Sequence, residues 1–229
     1  MSGRLGRFLV SASAALVILG ASIVPFATPA YVRLEQDRAG AGALTGFEAS
    51  ELDRVTTSIL GDLFLWQGDF GVGGPRLTPV LNQREQAHMR DVRGVFGGFE
   101  ALVIASIAVL LIAFRRTHDT AASAATWRAV GSGARGLAIA LVVAGAFAIF
   151  AFDAAFEVFH RLFFSAGSYS FDPRTDRLVQ LFPEQFWSDT AIAVGVVALA
   201  VAVLTAVLSG RRAGAARQAA VLSTSGVGP

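Results

Sequence analysis

The chain has 229 residues, 54% hydrophobic and 16% charged, a balance too apolar for an ordinary water-soluble domain of this length. It has no cysteine, which excludes disulfides, thiol nucleophiles, cysteine-based zinc sites and a lipidated cysteine on this chain. All 19 basic residues are arginine, but the formal net charge is only +2 and the arginines are spread among loops, so the chain reads as a membrane protein without a nucleic-acid signal.

A spanning helix needs about 20 predominantly apolar residues. The first such stretch ends segment 1–30, running from Phe8 to Ala30. Arg-flanked FLVSASAALVILGASIVPFATPA also resembles a secretory signal, but its apolar run exceeds the roughly 7–15 residues usual there, so it is read as an uncleaved anchor. Segment 31–94 mixes arginines with Glu35, Asp37, Glu48, Glu51, Asp53, Asp62, Asp69, Glu85 and Asp91 and is too long to be structureless. Within it, TGFEASELDRVTTSILGDLFLW has the periodicity of an amphipathic helix with Thr45 or Ser50 as N-cap. The Gly-rich turn GDFGVGGP follows and lacks the GK[ST] of a phosphate-binding loop.

LNQREQAHMRDV, residues 81–92, leads into the second span, 95–114. His88 stands three residues after Glu85 and three before Asp91, so on one helix the three share a face. A carboxylate at that spacing holds one ring nitrogen and leaves the other for proton transfer. Glu100 lies near the same end of this span. The link 115–136 contains His118 and GSGARG, a G-x-G-x-x-G match without the strand and βαβ unit that dinucleotide binding requires, so it is read as a flexible loop entering the membrane.

The third span, 137–159, brings Asp153, Glu157 and, just past its end, His160 onto one stripe at i, i+4 and i+7. Carboxylates within a span cost about 2.5–3.5 kcal/mol each, so Asp153 and Glu157 are expected to face the bundle interior or a wet cavity, with Arg161, Arg90 or Arg93 as partner. Loop 160–188 has a turn at Asp172-Pro173 and an apolar, aromatic run through Trp187 suited to the headgroup boundary. The fourth span is 189–208 and the tail 209–229.

The fold class expected is an all-α, four-transmembrane-helix bundle with a small, mainly helical extracytoplasmic cap. Arg4 and Arg7, the arginines of 115–136, and Arg211, Arg212 and Arg217 place the two termini and that link in the cytoplasm, and the two mixed-charge loops outside. Each candidate has a plain reading: His88 a solvated loop histidine, His160 a helix-end anchor, Asp153 and Glu157 a structural ion pair. Together they converge on one leaflet boundary, with His118 on the opposite side.

The run from Leu81 to Val92 resembles the NExxHMxDV block of the lipoprotein intramolecular transacylase family, bacterial four-span membrane proteins. Phe159-His160-Arg161-Leu162-Phe163-Phe164, Phe171-Asp172-Pro173 and Leu181-Phe182-Pro183-Glu184-Gln185-Phe186 are similar to its FHxxFF, FDP and LFPExF blocks. The likeness covers roughly Tyr31 to Leu208; Arg93 stands where the family's lysine is expected, and the tail from Gly210 matches nothing.

The resemblance implies an acyltransferase of the bacterial cytoplasmic membrane, acting at the outer leaflet. It would move the sn-2 acyl chain of a diacylglyceryl-cysteine lipoprotein to the cysteine α-amino group. Its partners are then the lipid-modified N-termini of lipoproteins and membrane lipids, with no metal or cofactor. His88 and His160 are the expected acid/base pair. Asp91, Glu85, Asp153 and Glu157 would orient or support them, and Arg90, Arg93, Arg161 and Glu184 would bind substrate or the oxyanion. Two other readings stand beside it: a metal-dependent membrane hydrolase built on His88, His160 and a carboxylate, and a non-catalytic subunit binding a partner through its cap.

Overall fold

A computed structural model describes residues 3–73, 78–117, 119–165 and 167–224; His118 and the end of the Gly-rich turn lie outside the described residues. The described residues are helical apart from loops and a single bridge pairing Gly73 with Pro79. Helices α1 (Arg4–Ile23), α5 (Gln83–Arg115), α6 (Thr120–Phe150) and α9 (Glu184–Thr224) are long and apolar; the shorter ones are α2 (Pro29–Arg38), α3 (Ala41–Thr45), α4 (Ala49–Phe64), α7 (Phe152–Phe163) and α8 (Arg177–Leu181). Among the described residues four helices are thus long and apolar enough to cross a membrane, as expected from the sequence.

The chain divides into two compact units. The first comprises Met1–Ile23, Glu100–Gly145 and Gly195–Pro229. Its contacts are made by small residues, because lipid tails are as apolar as leucine and only close packing favours one helix over lipid as neighbour. Ala113, Ala129 and Val130 meet Val10 and Ala14, and Ala134 and Ala202 meet Ile18. Ser11 Oγ donates to Ala129 O at 2.8 Å. Ile104, Ile139 and Val196 stay exposed, as a lipid-facing surface requires.

GSGARG, read above as a flexible loop, lies inside α6. Gly133 sits so close to the Ser11 carbonyl that a Cβ there would overlap it, and Gly131 faces Ser209. The glycines serve helix crossing. The segment read as link 115–136 is therefore mostly helix, and the long helix ends at Phe150, not near 159. Ala151, with φ −151° and ψ 53°, breaks the chain direction, so Asp153, Glu157 and His160 belong to the separate helix α7.

The second unit, Val24–Phe99 and Ala146–Val194, has its own core of Val32, Leu52, Val55, Ile59, Phe70, Leu81, Met89, Leu181 and Phe186. Thr28 caps α2, accepting from Tyr31 N, with Pro29 at the first helical position, where its missing N–H costs nothing. The amphipathic stretch forms α4, but neither expected residue caps it. Glu48 holds the cap position, and Thr45 donates instead to Ala41 O in α3 at 2.7 Å. Buried Gln36 ties α2 to Leu181 O at 2.9 Å and to Thr56 Oγ1 of α4 at 2.9 Å.

Candidate active site

NQRE forms a reciprocal cap at the start of α5. Asn82 Oδ1 accepts from the backbone N–H groups of Arg84 and Glu85, both at 3.0 Å, and Glu85 Oε2 accepts from Asn82 N at 2.6 Å. This is a capping box, with asparagine in place of serine or threonine. The other oxygen of Glu85 accepts from Leu178 N in the first turn of α8 at 2.6 Å. Asp176 completes the clasp, accepting from Asn82 Nδ2 at 3.1 Å, Arg84 Nη2 at 2.8 Å and Asp172 N at 2.8 Å. The Asp172-Pro173 turn forms as expected, with Thr175 N and Asp176 N donating to Asp172 O.

His88 follows Glu85 by nearly one turn and is buried. Its ring packs against Phe164, centroids 4.8 Å apart, and Phe171, 5.5 Å apart, while the Arg84 guanidinium lies over Phe171 at 5.0 Å. His160, also buried, packs against Phe156 at 4.0 Å and Tyr169 at 4.9 Å. The two imidazoles stack 6.1 Å apart with planes 22° from parallel. That is wider than a direct ring stack, and one small group between them can reach both.

Their hydrogen bonding differs. His160 Nδ1 lies 2.8 Å from Phe156 O, one turn back in α7. A carbonyl only accepts, so Nδ1 carries a proton, and in the neutral ring Nε2 is the nitrogen with the free lone pair. His88 Nδ1 is buried without a hydrogen-bond partner among the described residues, and an unpaired polar atom within an apolar cage is costly unless something fills it.

The supporting residues lie otherwise than the sequence suggested. Asp91 is exposed and forms no hydrogen bond to His88 among the described residues, because the helix turns it to the surface. Glu85 is consumed by the clasp and not by the imidazole. Glu157 accepts from Arg161 at 2.7 Å and from Tyr169 Oη at 3.2 Å, and among the described residues it makes no hydrogen bond to His160, on whose ring Tyr169 packs. Asp153 is exposed in the first turn of α7 and Glu184 is exposed in the first turn of α9. Arg90 turns to Asp69 at 3.0 Å. Arg93 joins it at 3.1 Å, donates to Gly68 O at 2.8 Å, and lies over the rings of Trp66 and Phe70. Both aromatics have positive φ, 55° and 62°, so Arg93 and the Asp62 carboxylate, which accepts from Phe70 N at 2.7 Å, hold a strained loop in place. The three arginines are thus engaged away from the imidazole pair.

Sequence reading gave no role to Asn82, Asp176, Phe164, Phe171 or Tyr169, although Asn82, Phe164 and Phe171 stand in the family blocks quoted above. Asn82 also had a signal of its own: asparagine followed three residues later by glutamate marks a helix start. The metal-dependent alternative finds no support, since among the described residues no three His, Asp or Glu side chains gather as a ligand set.

Long apolar helices and a buried, stacked pair of histidines define a membrane-embedded protein with two facing imidazoles. The family model for the lipoprotein intramolecular transacylase Lit matches residues 8–187, and the chain belongs to that family. It is an acyltransferase, its activity that of a transacylase. The fold is that of the membrane-integral Lit from Bacillus cereus: TM-score 0.73 at 21% identity, over 94% of this chain and 97% of that one. A variant of that protein with a histidine replaced by arginine matches with TM-score 0.70 at 18% identity, over 94% of each chain. No curated protein matches the chain.

Proposed function

We propose that the chain moves the sn-2 acyl group of a diacylglyceryl-cysteine lipoprotein to the α-amino group of the same cysteine, at the outer leaflet of a bacterial cytoplasmic membrane, with His88 and His160 exchanging the protons. The observation that carries this is the stacked imidazole pair, buried among aromatic rings and 6.1 Å apart.

An α-ammonium, with a reference pKa near 7.7–8.0, must lose a proton before it can attack an ester. His160 is the better-defined base, because Phe156 O fixes the proton on Nδ1 and leaves Nε2 as acceptor. The freed amine attacks the sn-2 carbonyl carbon. The tetrahedral species passes its second N–H proton to His88, the carbon–oxygen ester bond breaks, and the departing glyceryl oxygen takes that proton from His88, while the proton held by His160 is the one released. The balance is ammonium and ester giving amide, alcohol and one released proton. Amine and ester belong to one substrate, so positioning does much of the work and no enzyme nucleophile is needed. The imidazolium formed by the first proton transfer supplies positive charge beside the oxyanion.

His88→Gln and His160→Gln should each lower the transfer by about 10²–10⁴-fold, the usual worth of a positioned acid or base. The measurement is mass spectrometry of the N-terminal lipopeptide in a host lacking other N-acylating enzymes. An acyl group still found on nitrogen at the unsubstituted level in both variants overturns the assignment.

A further inference from the structure

Helix α7 is two-faced to a degree that packing within the protein does not use. At 100° per residue, Phe152, Phe156, Phe159 and Phe163 fall in one narrow strip, flanked by Ala155, Leu162 and Val158, while Asp153, Glu157, His160 and Arg161 occupy the opposite side. Only the boundary residue His160 is buried. Leu162 is 74% exposed, Val158 52% and Phe163 51%. Immediately before the helix, Phe150 is 89% exposed, and it follows in sequence a stretch hydrophobic enough to span.

We propose that α7 lies in the plane of the outer leaflet, its apolar face sunk among phospholipid acyl chains, and so sets the depth at which His160 meets its substrate. The face presents phenyl, isobutyl, isopropyl and methyl groups, with no donor or acceptor for a protein partner to pair. A short helix of this kind sits about 5–10 Å into the boundary between headgroups and acyl chains. The break at Ala151 lets the chain leave the direction of α6 there. The polar stripe, tied by the Glu157–Arg161 pair, then faces the headgroups. His160, on the edge between the two faces, comes to the level where the ester of a lipid anchor lies. The outward placement rests on the functional reading above; the two-faced embedding does not.

The cysteine-free chain suits site-directed spin labelling. Single substitutions Val158→Cys, Leu162→Cys and Arg161→Cys would be labelled in the full-length protein in phosphatidylethanolamine/phosphatidylglycerol vesicles, and collisions with oxygen and with a water-soluble nickel chelate compared. The expected result is oxygen preference at 158 and 162 and nickel preference at 161, with the oxygen-to-nickel ratio reversing along the helix. Equal nickel access at all three positions overturns the proposal. So does dipolar broadening at 158 and 162 that disappears in nanodiscs holding one copy, because the face would then be covered by a second copy. Depth is read without substrate, so its failure is separable from a failure of the histidine assignment.

Discussion

Glu85 shows how one side chain links a helix start to the position proposed for proton transfer. It is 1% exposed, and its two oxygens accept from backbone groups 96 positions apart, Asn82 N and Leu178 N. Removing an acceptor from a buried N–H costs about 1–3 kcal/mol per group. Glu85→Ala should therefore lower the melting temperature in detergent and reduce acyl transfer as well, since the first turn of α5 would lose its tie to α8 while His88 remains. Glu85→Gln, keeping one carbonyl oxygen, should fall between; a melting temperature unchanged in Glu85→Ala would show that the clasp bears no weight. Glu35 is the opposite case, a carboxyl whose burial is only weakly offset. It is 2% exposed, its Oε2 lies 3.9 Å from Arg38 Nη1, and its Oε1 has no hydrogen-bond partner among the described residues. Burial pushes its pKa above the ordinary 4.5, with the Arg38 guanidinium opposing the shift and the Asp189 carboxyl adding to it. A carboxyl raised in the folded state destabilises the fold wherever it must ionise, so stability is lost as pH rises from 4.5 through the folded pKa. Glu35→Gln should raise the melting temperature at pH 8, and the gain should vanish below pH 4.5. A gain that grows on acidification would contradict the sign.

At the scale of elements, the sequence disclosed helices by hydropathy and missed what depends on close approach. The number of apolar helices was legible because lipid imposes length and composition on each. The end of α6 was not. AFAIFAFDAAF has neither proline nor glycine at the break, and hydropathy runs through it without a change. The usable clue was Asp153, an acid suited to the first turn of a new helix, together with phenylalanines at helical spacing. His88 and His160 were legible as candidates because histidine is scarce here, but the cage of Phe164, Phe171 and Tyr169 comes from loops whose path no periodicity records. The glycines of α6 allow an element-scale prediction. Gly133→Ala places a methyl group against the Ser11 carbonyl, and overpacking of this kind costs about 1–3 kcal/mol. Gly136→Ala meets nothing within 4 Å and removes the roughly 1 kcal/mol penalty of a glycine within a helix. Thermal unfolding in detergent should show the first destabilised and the second unchanged or improved; the same loss in both would mean that helix crossing is not what Gly133 serves.

For the whole molecule, charge separates most of the arginines into two populations, with Arg177 apart from both, donating to Thr45 O and Gln180 Oε1. Arg33, Arg38, Arg54, Arg84, Arg90, Arg93, Arg161 and Arg174, all within Val24–Phe99 and Ala146–Val194, each have a carboxylate within ion-pair distance. Arg4, Arg7, Arg115, Arg116, Arg211 and Arg212, near the ends of apolar helices, have no ion pair among the described residues. Unpaired arginines at helix ends are retained on the cytoplasmic side, where anionic lipid also attracts them. They should thus hold the termini and the 115–120 segment inside, and residues 31–94 and 160–188, with His88 and His160, toward the outside. Cysteines introduced singly at Ser50 and Thr120, both exposed, read this directly. A membrane-impermeant maleimide on intact cells should label Ser50→Cys at once and Thr120→Cys only after permeabilisation. The reverse pattern would put the imidazole pair on the cytoplasmic face, where a lipoprotein already exported could not reach it, and the outward acyl transfer would have to be abandoned even with the histidine chemistry intact.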